Sequence, residues 1–300
     1  MKVIYSFIIL IMERILFIIN PIAGKGRGKR YISRIERTLD KTRFAPEFVL
    51  TEYGGHATEI ARDAAARGVD VVVAVGGDGT VNETACGLVG TKTALGIIPN
   101  GSGDGLALHL GIPRHIAGAV RKINNGKPIL ADSGLVEGHR FFCTTGVGFD
   151  AKVACDYANA GSRGIKTYVA KAVEDWKNFK PSHYVITTED MKMEVDAMLV
   201  TVGNANQWGN RCHIAPTASV TDGLLEITIV KPISIIQAPD LLIKLFKYEA
   251  YKSEHIIHLR GKKITIQRNG GLEAHYDGEA VLLPETIHIE CCPQSVYMWC

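Results

Sequence analysis

The chain has 300 residues, of which 22% are charged and 46% hydrophobic, and a formal net charge of +3. That balance excludes a disordered, collagen-like or membrane-embedded chain, and so small a charge gives no bulk attraction for nucleic acid. Seven cysteines, none of them in a Cys-x-x-Cys pair, argue against a disulfide framework or a zinc site and for a reducing compartment.

After Lys2, residues 3–12 are nearly all apolar. The run is too short to cross a bilayer, which takes about 20 residues, and no small-residue cleavage site follows it. Residues 1–11 read as an N-terminal extension ahead of a domain that begins near Met12. Over 12–130, apolar runs at 15–19, 48–50, 69–75 and 95–98 alternate with segments of helical spacing at 29–39, 57–67 and 81–89. Continuous apolar strands alternating with helices predict an α/β domain with a parallel sheet, whose ligand lies at the carboxyl ends of the strands. Over 131–289 the strand runs 140–147, 184–188, 197–202, 224–230, 262–267 and 285–290 predict a second, β-sandwich domain, with helices at 166–178 and 233–248. Residues 290–300 can pack back on the first domain.

Glycines stand where the first domain's strands end. Asn20-Pro21-Ile22-Ala23-Gly24-Lys25-Gly26 closes the first run, and a glycine-rich turn leading into a helix suits phosphate; a strand–helix turn with a solvated basic face fits equally well. It is neither a Walker A loop nor a G-x-G-x-x-G fingerprint. Gly76-Gly77-Asp78-Gly79-Thr80-Val81-Asn82-Glu83 follows the third run: its glycines admit a ligand to the backbone, Asp78 can hold a metal-bound phosphate, and Thr80 with Glu83 fits a capping box. Pro99-Asn100-Gly101-Ser102-Gly103-Asp104 is a third such loop. Three of them on one sheet edge point to one elongated, polyphosphate-bearing ligand. Far downstream, Asp277-Gly278-Glu279 reads as a hairpin turn or as a carboxylate pair able to serve a base and a metal. Asp150, in Gly148-Phe149-Asp150-Ala151, is equally open.

Together these residues resemble the diacylglycerol/sphingosine lipid kinases, bacterial type. Gly76-Gly77-Asp78-Gly79-Thr80 is shared with NAD kinases and phosphofructokinases. Asn20-Pro21 with Gly24, Thr51 with Gly55-His56-Ala57, the Pro99-to-Gly103 loop followed by Leu106-Ala107, Gly148 to Ala151, and Asp277 to Glu279 are similar to the lipid kinases in order and spacing, over 15–290. The resemblance implies an NAD kinase/phosphofructokinase-like N-terminal domain, a C-terminal sandwich and an active site between them. It implies ATP- and Mg²⁺-dependent phosphorylation of a primary hydroxyl on a membrane lipid, as in phospholipid metabolism, by a cytoplasmic protein that meets the membrane peripherally and forms homodimers. Asn20, Pro21, Ile22, Ala23, Gly24, Thr51, Gly76, Gly77, Asp78, Gly79, Thr80, Val81, Asn82 and Ser102 would line the nucleotide. Asp150, with Gly101 and Gly103, would meet the lipid.

Glu279 is similar to the general base of the bacterial enzymes, with Asp277 beside it; in sphingosine kinases the residue matching Asp78 takes that role. A structural metal would map to Asp222 and the Ser219 and Leu224 carbonyls. Asp104 stands where the family usually has Asn, and a helix-capping role is expected for it. The basic cluster Lys25, Arg27, Lys29, Arg30, Arg34 and Arg37 is read as a solvated face. The helix around 233–246, interrupted by Pro239, is read as a cover for the sandwich. The other readings are an NAD kinase-like enzyme and a catalytically silent lipid- or nucleotide-binding protein.

Overall fold

The computed structural model describes residues 12–26, 30–158, 174–176, 178–270 and 272–300. The expected extension at 1–11, residues Arg27 to Lys29 of the first loop, and most of the expected helix at 166–178 lie outside the described residues.

Four strands, β1 (Glu13–Ile19), β2 (Phe44–Leu50), β3 (Val71–Gly76) and β4 (Ala94–Pro99), form a parallel array in the order β2-β1-β3-β4. Every residue of β3 and β4 is buried, as unbroken β-branched and aliphatic runs require when both faces are covered. The connecting helices are α1 (Ala23–Gly26), α2 (Tyr31–Thr38), α3 (His56–Ala66), α4 (Asp78–Leu88), α5 (Gly105–His109) and α6 (Ile116–Asn125). They place every βα turn on one edge of the sheet.

The second half begins with β5 (Pro128–Val136), β6 (His139–Phe141) and β7 (Thr144–Gly148), followed by α7 (Phe149–Ala158). Then come β8 (Ser182–Thr187), β9 (Lys192–Ala197), β10 (Leu199–Gly203) and β11 (Leu225–Val230), followed by α8 (Ala238–Phe246). The chain ends with β12 (Ile256–Gly261), β13 (Lys263–Arg268), β14 (Glu273–Tyr276), β15 (Glu279–Leu282) and β16 (Thr286–Trp299). A six-stranded antiparallel sheet runs β12-β11-β10-β7-β14-β15. Val147, Val200, Val202, Ile227 and Ile229 of that sheet share a core with Tyr184, Ile186, Ile264, Ile266, Ile287 and Ile289 of the other, giving a sandwich.

The two halves share one sheet. β16 pairs antiparallel with β13 and β5, then parallel with β4 through Tyr297↔Ala94 and Met298↔Leu95. A register shift between Cys292 and Val296, beside Pro293, lets one strand serve both halves. Pro239 does not interrupt the 233–246 helix as expected; it stands in the first turn of α8, where a missing N–H costs nothing.

Candidate active site

The turns after β1, β3 and β4 touch one another. Asn20 donates its side-chain amide to Thr80 Oγ1 at 3.1 Å and accepts the Ile22 N–H, also at 3.1 Å. Asn100 N–H donates to the Gly76 carbonyl at 2.7 Å, and the Tyr31 hydroxyl donates to Asn100 Oδ1 at 2.5 Å. Gly24 has φ +57°, and a Cβ there would fall 2.0 Å from Asn100 Oδ1. A Cβ on Gly101 would lie 2.7 Å from Gly77 Cα. Only glycine permits backbone contact this close. The result is a cradle of main-chain amides at the start of the eleven-residue helix α4, a geometry that favours anionic oxygens. Asn100 Nδ2 is buried there without a partner.

The expected nucleotide residues differ in exposure and in what their own groups bond. Pro21 and Ala23 are half-buried and Ile22 is 80% exposed. Thr51 lies beyond the end of β2, its N–H on the Ile19 carbonyl. Ser102 is exposed, and its carbonyl accepts from Arg114. Thr80 and Val81 are buried, so the cradle meets α4 mainly through its backbone. Asn82 is also buried and donates 2.8 Å to Asp277 Oδ2 and 2.9 Å to the Arg140 carbonyl. Its side chain joins the two halves of the molecule and does not line the cradle.

The five carboxylates of the site differ sharply. Asp78 opens α4 and accepts the Asp104 and Gly105 N–H groups at 2.9 and 2.8 Å. Burial pushes its pKa up against those two donors. Asp104 was expected to cap a helix. It does occupy the N-cap position of α5, at φ +54°, but makes no side-chain cap bond. It accepts the Gly101 N–H at 2.8 Å and pairs with Arg114 at 3.2 Å, while burial and the nearby Asp78 push its pKa up to about 6. Arg114 also donates to the Ser102 and Gly103 carbonyls; it locks the loop, and no motif announced it.

Asp277 is buried, and its two oxygens accept four donors: Asn82 Nδ2 and the N–H groups of Phe142, Cys143 and Thr144, at 2.8–3.1 Å. Burial raises its pKa while these donors oppose the rise. With both oxygens committed to the chain's own donors, Asp277 is an anchor for the hairpin. Asp277 and Gly278 both have positive φ, forming the two-residue turn between β14 and β15.

Beyond that turn Glu279 is exposed, and its Oε1 lies 2.9 Å from where a Cβ on Gly79 would be. The missing side chain at Gly79 is what lets a carboxylate from the second half reach the first turn of α4.

Asp150 is buried in the first turn of α7. Its Oδ2 accepts the Thr201 hydroxyl at 2.8 Å and lies 3.1 Å from His275 Nε2. A Cβ on Gly146 would intrude to 2.6 Å from the same oxygen. His275 was not singled out from sequence; its place two residues before Asp277 was the available signal. Gly103 packs between the Asp78 carboxylate and the 208–209 backbone, with a Cβ position 3.0 Å from Asp78 Oδ2.

In the expected structural-metal set the one carboxylate is already engaged by the chain's own groups. Asp222 Oδ2 pairs with the Arg260 guanidinium and Oδ1 accepts the Leu224 N–H, and Ser219 bonds to Thr221. Among the described residues no three His, Cys, Asp or Glu side chains form a metal-binding group.

The diacylglycerol kinase catalytic domain model matches residues 14–136, and the model of the YegS C-terminal NAD kinase beta sandwich-like domain matches 143–300. The chain is 27% identical to a diacylglycerol kinase of Bacillus subtilis (strain 168), over 89% of this chain and 90% of that one. It is 29% identical to a probable lipid kinase, YegS-like, of Chromohalobacter salexigens, over 77% and 76%. A structure from Bacillus anthracis str. Sterne, provisionally named a diacylglycerol kinase, superposes with a TM-score of 0.75 at 26% identity, covering 95% of this chain and 96% of that one.

Proposed function

Because the chain belongs to the diacylglycerol kinase family of lipid kinases, we propose that it transfers the γ-phosphate of ATP to a primary hydroxyl of a membrane lipid, a diacylglycerol or a sphingoid base. The observation that carries the reading is the Glu279 carboxylate, held over Gly79 at the first turn of α4 and beside the three fused glycine loops. Phosphoryl transfer asks a protein chiefly to hold the phosphates in line and to take the acceptor's proton. The amides of Gly77 to Thr80 and the buried Asn100 Nδ2 are the donors for the phosphates. Glu279 takes the hydroxyl proton, for which a carboxylate needs only hydrogen-bond reach, because that proton leaves late. Bound magnesium would neutralise charge developing on the transferred group, with Asp78, beside the phosphate cradle, as the residue that would support it. Asp78 positions the Asp104–Gly105 turn, Asp277 positions the Glu279 hairpin, and Asp150, buried against Thr201 and His275, is the residue the family likeness puts beside the lipid head.

The test is transfer of labelled γ-phosphate from ATP with Mg²⁺ to diacylglycerol, monoacylglycerol, sphingosine, ceramide and NAD, separated by chromatography. Label on a lipid supports the reading and names the head group. Label on NAD alone contradicts it, in favour of the soluble acceptor for which the C-terminal domain's likeness is named.

A further inference from the structure

The outer side of α8 is apolar where a helix that only covers a sandwich would be polar. Leu241 and Leu245 face inward, onto Met198, Leu199, Ile214, Val230 and Ile256. Leu242, Ile243 and Phe246 form an adjoining stripe that is about half exposed, and Ile236, in the turn before the helix, is 86% exposed with Ile235 beside it. Tyr248 and Tyr251 continue the exposed surface past the helix end.

The charge around this patch is uneven. Between residues 231 and 252 stand Lys231, Lys244, Lys247 and Lys252 against Asp240 and Glu249. Each acid is already neutralised, Asp240 by Lys244 at 2.7 Å and Glu249 by Lys252 at 2.6 Å. Glu254, beyond them, faces His255 at 3.8 Å. Among the described residues Lys231 and Lys247 have no ion-pair partner. An aliphatic centre edged by tyrosines and unpaired lysines has the chemistry of a helix lying in the plane of an anionic bilayer. A two-fold contact between copies would instead set this lysine-edged patch against itself.

The patch is joined to the candidate active site. His213 N–H donates to the Leu245 carbonyl at 3.1 Å, and Tyr248 Oη donates to the Pro216 carbonyl and accepts from Asn206 Nδ2. The same loop reaches Gly103: Asn210 N–H donates to its carbonyl at 3.0 Å, and the Gly209 backbone packs on it. We infer that α8 and the 235–236 turn are the surface by which the protein lies on an anionic phospholipid bilayer, with Ile236 and Phe246 entering the acyl boundary and Lys231 and Lys247 meeting the head groups. The purpose of the contact rests on the lipid-kinase reading; the surface itself does not.

The test is co-sedimentation of the full chain with phosphatidylglycerol/phosphatidylcholine vesicles and with pure phosphatidylcholine vesicles, beside transfer to a short-chain, monomerically dissolved diacylglycerol. The wild type binds the anionic vesicles preferentially. The pair Ile236→Ser and Phe246→Ser weakens binding by at least about ten-fold, and the pair Lys231→Gln and Lys247→Gln removes the preference. Both pairs keep transfer to the dissolved substrate and the wild-type unfolding temperature, as exposed positions allow. Undiminished vesicle binding by the apolar pair overturns the inference and leaves the kinase reading standing. Vesicle binding lost in the apolar pair, with no lipid phosphorylated by the wild type, upholds the surface and removes the kinase reading. A wild-type dimer that the apolar pair makes monomeric, with vesicle binding unchanged, overturns the inference in favour of a second copy.

Discussion

The Asn82 side-chain amide donates to Asp277 Oδ2 at 2.8 Å across 195 residues of sequence. This bond ties the helix behind the phosphate cradle to the hairpin that carries Glu279. Asn82→Ala removes one of four donors from a buried carboxylate, and should cost about 1–3 kcal/mol. Asp277→Ala strands all four donors and should cost more, about 3–5 kcal/mol. Urea unfolding checks both; a loss within about 0.5 kcal/mol of wild type, the usual range for surface substitutions, contradicts the anchoring role.

Gly79→Ala separates stability from activity. The new Cβ meets Glu279 Oε1 at 2.9 Å, the far end of a side chain that can swing away, and Gly79 does not have the positive φ that would strain an alanine. The variant should therefore melt no lower than wild type yet transfer phosphate at least about ten-fold more slowly, because the carboxylate has been displaced. Thermal melts and turnover on the same preparation decide it.

Gly101→Ala should behave in the opposite way. Its Cβ meets the Gly77 backbone at 2.7 Å, and neither loop has a flexible end to give. Strain of about 1–3 kcal/mol is expected, together with weaker ATP binding measured by calorimetry.

Asp104 gives a pH signature. Its folded-state pKa of about 6 lies above the ordinary 3.8, so between about pH 4 and 6 the folded chain holds a proton that the unfolded chain has released. The contribution is present below pH 4 and is lost as pH rises through 6, an effect on the order of 3 kcal/mol. Asp104→Asn abolishes it: the stability of the variant minus that of wild type should climb from pH 4 to pH 7. A flat difference in denaturant titrations at both pH values contradicts this.

The parallel sheet and its ligand edge were legible because apolar runs of strand length end in glycine clusters, and a buried strand tolerates little else. The long strand β16 was visible only to residue 290. Pro293 and the irregularity beside it hide the continuation of the strand to Trp299. β5 was missed because Asp132-Ser133-Gly134 has the composition of a turn; Asp132 is in fact buried, accepting the Gly223 and Gln294 N–H groups. Asp78, Asp150, Asp277 and Glu279 stood out as residue types, but their separation into anchors and one uncommitted carboxylate depends on partners up to 195 residues away. His275 acts through Asp150, 125 residues away, and Arg114 through the carbonyls and carboxylate of the 102–104 loop, neither of which a motif marks.

The central claim is that Glu279 takes the acceptor's proton, and Glu279→Gln tests it most directly. The amide keeps the shape and cannot accept the proton. The account predicts ATP binding within about two-fold of wild type and labelled γ-phosphate transfer to lipid slowed by roughly 10²–10⁴-fold. Transfer at the wild-type rate by Glu279→Gln would contradict it.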